Sequence, residues 1–416
     1  MNAYAEAMKH SGNALHHPDT RAVHAGRHEL TQLGVHALPI DLSTTYPVAE
    51  LDGAPEQLEA WATGGQPDGC AIYARLHNPT VGRFEQALAE LEHAEAAVAF
   101  ASGMAAFTAL LLSLPGDRRH IVAVRPLYGG TDHVLSSGLL GCTVTWAEPD
   151  GVAEALQPDT GLVVVETPQN PTVGLVDIAA VAAQCGTVPL LVDSTFATPV
   201  VQTPIRHGAT YVLHSATKFL GGHGDAMGGI IACDEEHARG LRAVRVATGG
   251  LLHPLGAYHL HRGLATLPVR IERMQSSAMI LARRLLEHEL VERVYHPSLP
   301  ECDPQGLVGT QMYGPGSMLA FDIVGGYDAA RLLLGATQLL THAVSLGSTD
   351  TLIQHPASLT HRVVEATSRD ACGVHDRLVR ISVGLEHPDD LWADLEQALS
   401  AASLHSVSAT HVHTHG

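Results

Sequence analysis

Lysine is almost absent from this chain: it occurs only at Lys9 and Lys218, and arginine carries the rest of the basic charge. A guanidinium serves for ion pairs and surface charge but does not give up its proton, whereas an amine does. A lysine kept in the middle of so lysine-poor a chain points to a task for which arginine is useless, and Schiff-base formation is the foremost such task. Basic charge as a whole is also short. The 24 Lys+Arg against 43 Asp+Glu leave a formal net charge of -19, which repels polyphosphate and anionic lipid and argues against nucleic acid and membrane surfaces as partners. The apolar run Ala105 to Leu114 stops at Pro115, far short of the roughly 20 residues that a bilayer crossing needs. The first residues mix Glu6, Lys9 and Asp19 with alanine, without the basic start and apolar centre of a signal peptide, so a cytoplasmic location is expected.

Cysteine pairs are missing as well. Cys70, Cys142, Cys185, Cys233, Cys302 and Cys372 lie far apart, with no CxxC, so neither a zinc knuckle nor a disulfide scaffold is indicated and free thiols are expected. The 28 histidines include no HExxH, and His411, His413 and His415 stand in a polar terminal tail, so no metal centre is expected.

What is present is an alternation of short apolar runs with helical segments between residues 95 and 235, the pattern of an α/β domain with a parallel sheet. The runs read as strands are Ala97 to Phe100, Ile121 to Val124, Gly161 to Val165, Leu190 to Val192, Tyr211 to Leu213 and Gly229 to Ala232. From about residue 250 the pattern changes to a long helical stretch, Leu255 to Leu290. Strands at Met318 to Ile323 and Leu378 to Val383 follow, then an amphipathic helix from Asp389 to Ala402. The expected organisation is an arm over 1–60, an α/β domain over 61–260 and a smaller α+β domain over 261–416, without internal repeats.

Ligands of such sheets bind beyond the carboxyl ends of the strands, so the residues after each run are the informative ones. They are Ser102-Gly103-Met104 opening a helix, a turn presenting Tyr128, Glu166 with Asn170 four residues on, Asp193, and His214-Ser215-Ala216-Thr217-Lys218. Singly, each has a bland reading: an Asp after a strand is usually a helix cap, Ser-x-Thr a turn, and a strand Arg an ordinary ion pair. Together around Lys218 they match what pyridoxal phosphate (PLP) requires: an amine, a carboxylate for the pyridine nitrogen, an anion cradle, a ring partner and a fork for the substrate carboxylate. Asp193 is placed for the ring nitrogen, Ser215, Thr217 and the Gly103 and Met104 amides for the phosphate, Tyr128 for stacking, and Arg380 for the substrate.

The segments TRAVHAG (Thr20 to Gly26), YARLHNPT (Tyr73 to Thr80), ASGMAA (Ala101 to Ala106), LYGGT (Leu127 to Thr131), ETPQNP (Glu166 to Pro171), VDSTFATP (Val192 to Pro199), HSATKFLGGHGD (His214 to Asp225), AVSLGSTDTLIQHPASLTH (Ala343 to His361) and LVRISVGLEHPDDL (Leu378 to Leu391) carry a resemblance. In that order they resemble the Cys/Met-metabolism family of PLP-dependent enzymes, which includes cystathionine γ-synthase, cystathionine γ-lyase, methionine γ-lyase and O-acetylhomoserine sulfhydrylase. The resemblance implies the aspartate-aminotransferase-like fold (fold type I) and a tetramer of closely paired dimers, in which Tyr73 and Arg75 reach the phosphate of the neighbouring subunit. It further implies Lys218 as the Schiff-base residue and Cα base, Asp193 as the pyridinium partner, and Tyr128 as the stacking and acid/base phenol. Gly103, Met104, Ser215 and Thr217 take the phosphate, and Asn170, Ser345 and Arg380 contact the substrate amino acid.

The implied reaction removes the Cα proton and then a Cβ proton, so that the group on Cγ departs. Hydrolysis to a 2-oxo acid and ammonia makes a lyase; trapping by a nucleophile makes a transferase. Val344 stands where the cystathionine enzymes carry Glu, and His133 near where they carry Arg, which turns the expectation toward γ-elimination on methionine, as in methionine γ-lyase. Gly130 departs from the cysteine usual in methionine γ-lyases, and Thr210 from an aspartate usual before the lysine strand. The alternatives are γ-replacement of the cystathionine γ-synthase or O-acetylhomoserine sulfhydrylase type, γ-elimination of another leaving group in a dedicated pathway, or a binding protein on a retired scaffold.

Overall fold

The computed structural model describes residues 16–48, 51–67 and 71–412, with side chains as far as 403. Lys9, Cys70 and the side chains of the terminal histidine run lie outside the described residues. No helix among those described is long and apolar enough to cross a membrane.

The larger sheet contains β1 (Ala96–Phe100), β2 (His120–Val124), β3 (Thr143–Ala147), β4 (Thr160–Glu166), β5 (Leu190–Asp193), β6 (Tyr211–His214) and β7 (Gly229–Cys233), in the order β1-β7-β6-β5-β4-β2-β3. The six strands read from the sequence are all there. Side chains alternate between two buried faces: Val163, Val165, Val192 and Val212 join one core with Phe84 and Leu88 of the helix Pro79–Glu92. Leu162, Val164, Leu191 and Leu213 join another with Phe107 and Leu110 of the helix Gly103–Ser113. Burial on both sides is why these strands read as unbroken apolar runs, and each fully buried Val or Leu contributes roughly 1.5–3 kcal/mol.

The structure corrects three readings. The sheet is parallel from β3 across to β6, but β7 runs antiparallel to both β6 and β1. A parallel return needs a crossover of a dozen or more residues, usually a helix. The segment between β6 and β7, which carries Lys218, is turns instead. β3 has no apolar run to betray it, because Thr-Val-Thr-Trp-Ala lies half exposed at the sheet edge. The long helical stretch is two helices, Pro254–Leu264 and Leu267–Leu286. Pro268 explains the break, since a continuous helix would set its ring against the Leu264 carbonyl.

The smaller sheet comprises β8 (Val291–Tyr295), β9 (Met318–Ile323), β10 (Thr341–His342), β11 (Leu352–Gln354) and β12 (Leu378–Ser382), in the order β10-β11-β12-β9-β8. Phe321 and Ile381 pack with Leu281, Leu333 and Leu395 into a separate core under the helices Leu267–Leu286, Gly326–Ala336 and Pro388–Val412.

β1 is an edge strand, and an edge strand offers unpaired backbone groups. A buried pair of Glu85 and Arg245 occupies those of Ala99. The Ala99 N–H donates to Glu85 Oε1 at 2.7 Å, Arg245 Nη1 donates to the Ala99 carbonyl at 2.9 Å, and the two side chains bond each other. Removing one partner strands a charge in a dry environment. Arg245→Met is therefore expected to destabilise the fold by about 3 kcal/mol, read as a lowered thermal midpoint; an unchanged midpoint would show that the pair carries no stability.

Candidate active site

A cavity of about 270 Å³ opens at the carboxyl ends of the central strands. It is lined from the larger sheet by Gly103, Met104, Tyr128, Asn170, Asp193, Ser215, Thr217 and Lys218, and from the smaller one by Ser345 and Arg380. Ten of the twelve residues singled out from the sequence thus meet in one place. Tyr73 and Arg75 do not line it: Tyr73 is largely exposed, with the Arg75 guanidinium 5.5 Å over its ring and bonded at 2.9 Å to the Val246 carbonyl.

Lys218 follows β6, with Nζ 2.6 Å from Ser345 Oγ. Burial, and then the charge of Arg380, draw its pKa from the ordinary 10.5 down to about 8. That corresponds to roughly 3 kcal/mol in favour of the free amine. Ser345 holds φ at 88° although it is not glycine, and its carbonyl accepts from Arg380 Nη2 at 2.7 Å. The neighbouring turn needs a true glycine: Gly347 has φ 78°, and a Cβ there would lie 2.5 Å from the Phe219 nitrogen and 2.9 Å from the Lys218 carbonyl carbon.

Asp193 ends β5 directly beside Glu166, which ends β4. Thr195 donates twice to Asp193 Oδ1, from its amide at 3.0 Å and its hydroxyl at 2.6 Å, and Thr195 Oγ1 in turn accepts the Ser215 N–H at 2.9 Å. Burial raises the Asp193 pKa, while these donors and the charge of His214 pull it back. Glu166 is driven well above the carboxylate range by burial and next by the charge of Asp193, and its Oε2 accepts the Tyr128 N–H at 2.6 Å. The sequence reading passed over Thr195, and took Glu166 only as a strand-end residue. The signal for Thr195 was its place two residues after the strand-end aspartate, a common turn for a side chain that bonds back.

The helix Gly103–Ser113 points its N-terminus at the cavity, with Ser102 Oγ capping the Ala105 N–H at 3.1 Å. The Gly103 and Met104 amides belong to the first turn and have no intrahelical acceptor, which suits an anion. Ser215 presses against this turn so closely that a Cβ on Gly103 would come within 3.1 Å of its own Cβ. Thr217 Oγ1 accepts the Gly228 N–H at 3.1 Å. Of the departures, Gly130 leaves room for Tyr128: a Cβ there would stand 2.7 Å from Tyr128 Cε1 and 3.3 Å from Met104 Sδ. Thr210 pairs with Leu190 at the start of β5, accepting its N–H at 3.1 Å and donating to its carbonyl at 2.9 Å.

Arg380, on β12, is almost wholly buried, and its Nη1 donates to Asn170 Oδ1 at 2.8 Å. The ionisable acids and bases lining the cavity, apart from the Tyr128 phenol, are Glu166, Asp193, Lys218 and Arg380; Met104, Phe107, Met227, Val344, Leu346 and Thr360 line much of the remainder. His133 is exposed on the helix Gly129–Ser137 and does not line it. An amine of depressed basicity, a buried carboxylate with one oxygen already engaged, and a helix start with hydroxyls beside it fit PLP.

Among solved structures, cystathionine γ-lyase (CalE6) from Micromonospora echinospora is similar to this chain with a TM-score of 0.83 and 37% identity, covering 92% of this chain and 99% of that one. The architecture is accordingly that of the fold type I PLP-dependent enzymes. L-Methionine γ-lyase of Brevibacterium sandarakinum is 58% identical over 389 residues, 93% of this chain and 98% of that protein. The corresponding enzyme of Streptomyces avermitilis is 55% identical over 395 residues, 94% of this chain and 91% of that protein. The family model for Cys/Met metabolism PLP-dependent enzymes matches residues 19–400, and the chain belongs to that family.

The depressed basicity of Lys218 has a direct readout, because Lys9 is the only other lysine. Amine-selective acylation of the cofactor-free protein, followed by peptide mass spectrometry, is expected to give a Lys218 midpoint near pH 8. A midpoint near the ordinary 10.5 would contradict the burial described.

Proposed function

We propose that the chain catalyses γ-elimination of methionine to 2-oxobutyrate, ammonia and methanethiol, with water consumed. The observation that carries this is the distribution of charge in the cavity. Its titratable acids and bases are the four that serve the amine, the α-carboxylate and the ring nitrogen, and Val344, Met227 and Phe107 offer no charged partner for a second ammonium and carboxylate such as cystathionine bears. An uncharged thioether suits such a surface. The identity to methionine γ-lyases supports the same reading.

When bound, PLP supplies an electron sink for the pair left at Cα. Asp193, whose charge the Thr195 donors support against burial, would serve the ring nitrogen, while Gly103, Met104, Ser215 and Thr217 would serve the phosphate. The Arg380 guanidinium, held by Asn170, takes the substrate carboxylate. The Lys218 amine, tethered by Ser345 Oγ, removes the Cα proton, for which a pKa of about 8 is well matched near neutrality. The Tyr128 phenol, fixed through its backbone to Glu166, protonates the departing thiolate. Met227 and Val344 offer the methylthio group an apolar surface.

The same reading assigns Tyr73 and Arg75, which stand away from this cavity, to the phosphate of a neighbouring copy in a tetramer of paired dimers. It also places the enzyme in the cytoplasm and divides it into an arm over 1–60, a PLP-binding part over 61–260 and a C-terminal part over 261–416.

The test is 2-oxobutyrate release from methionine, cystathionine and O-acetylhomoserine, each with and without added thiol, alongside Lys218→Ala. Release from methionine without thiol, abolished in Lys218→Ala, is expected. Turnover only when a thiol joins the O-acyl substrate would replace the proposal with γ-replacement.

A further inference from the structure

Arg380 is a buried cation whose polar contacts are with neutral oxygens: Asn170 Oδ1, the Ser345 carbonyl and a third oxygen on the adjacent strand. β11 and β12 pair antiparallel with Gln354 directly opposite Arg380. Gln354 is only 1% exposed. With its amide oxygen turned to the guanidinium, the orientation that opposes acceptor to donors, Gln354 sets that oxygen 2.5 Å from Nη2, 3.1 Å from Nη1 and 3.2 Å from Nε, which one atom reaches only from the face of the planar group. The same end of the amide lies 3.4 Å from Thr360 Oγ1, and Thr360 lines the cavity.

We propose that Gln354 is a positioning residue for substrate: it fixes the plane of the Arg380 guanidinium, so that the remaining donors meet an α-carboxylate in one orientation. The inference rests on the reading that Arg380 takes that carboxylate. A free guanidinium rotates about its last torsions, and a bidentate fork gains its geometric specificity only when the plane is set. Gln354 sets it from the neighbouring strand, Asn170 from the loop after β4 and Ser345 from the turn that also tethers Lys218. The neutrality of the glutamine matters. A glutamate at the same place would give the guanidinium a permanent counter-charge and compete with substrate, whereas an amide orients the cation and leaves its charge for the ligand.

The inference separates ligands that carry the α-carboxylate from those that lack it. Norleucine and n-pentylamine differ by that group alone, and neither has a leaving group on Cγ. Each is titrated into the PLP-loaded enzyme, following the absorbance of the bound cofactor, for wild type, Gln354→Leu, Gln354→Glu and Arg380→Gln. Thermal midpoints of the cofactor-free proteins are recorded in parallel. Gln354→Leu is expected to weaken norleucine roughly tenfold, because the guanidinium loses the polar contact that holds its plane, while pentylamine stays within about twofold. Gln354→Glu should weaken norleucine at least as much, and it preserves the buried polar contact if the leucine variant fails to fold. Steady-state kinetics with methionine should show KM rising by a similar factor with kcat changed little. Equal losses for both ligands, or none for norleucine in either Gln354 variant while Arg380→Gln abolishes the preference, would overturn this inference alone. A preference left intact by Arg380→Gln would overturn the reading of Arg380 itself, and the inference with it.

Discussion

The contact on which the site depends is the 2.6 Å hydrogen bond from Lys218 Nζ to Ser345 Oγ. It joins a turn of the larger sheet to a turn leading into the smaller one, and Ser345 also receives Arg380 through its carbonyl. A single residue thus holds both cationic groups of the cavity, the amine from its side chain and the guanidinium from its backbone. The conformation that allows this has a positive φ, which for a residue with a side chain costs roughly 1–2 kcal/mol. It is held by the packing around it: the Gly347 N–H donates to Ser382 Oγ at 2.8 Å, and Gly347 lies against the backbone at Lys218.

Two cations in one buried cavity disfavour each other, and that repulsion is useful. It adds to burial in keeping Lys218 inclined to the free amine, while Arg380 stays charged because guanidinium is the stronger base by far. Burial raises both carboxylates, but Glu166 the further. Asp193 has the Thr195 donors to stabilise its charge, whereas Glu166, beside it, is driven toward the protonated form and serves the Tyr128 backbone. The surroundings thus separate two neighbouring acids: one keeps donors to its charge, and the other anchors a backbone amide.

Much of this was legible in the sequence because the site sits at strand ends. Asp193, Ser215, Thr217 and Lys218 each follow an apolar run, and buried parallel strands announce themselves by composition. What was not legible depends on pairing across the chain. Gln354 faces Arg380 only because β11 and β12 are antiparallel neighbours, a register no local pattern encodes. The reversed direction of β7 likewise follows from the missing crossover helix. Its residues give no hint, since Gly-Ile-Ile-Ala-Cys would suit either direction. Thr195 went unremarked because a threonine after an aspartate is ordinary until the carboxylate proves buried. The resemblance supplied Ser345 and the role of Asn170, whose place after β4 alone marked it only as a loop residue near the strand end.

The central claim is that the Lys218 amine, held by Ser345, moves the Cα proton. Exchange of the Cα proton of norleucine in deuterated water, followed by proton NMR, tests it without any leaving group. Exchange is expected from the PLP-loaded wild type, slower exchange from Ser345→Ala, and none above background from PLP-saturated Lys218→Ala. Exchange by Lys218→Ala at the wild-type rate would contradict it.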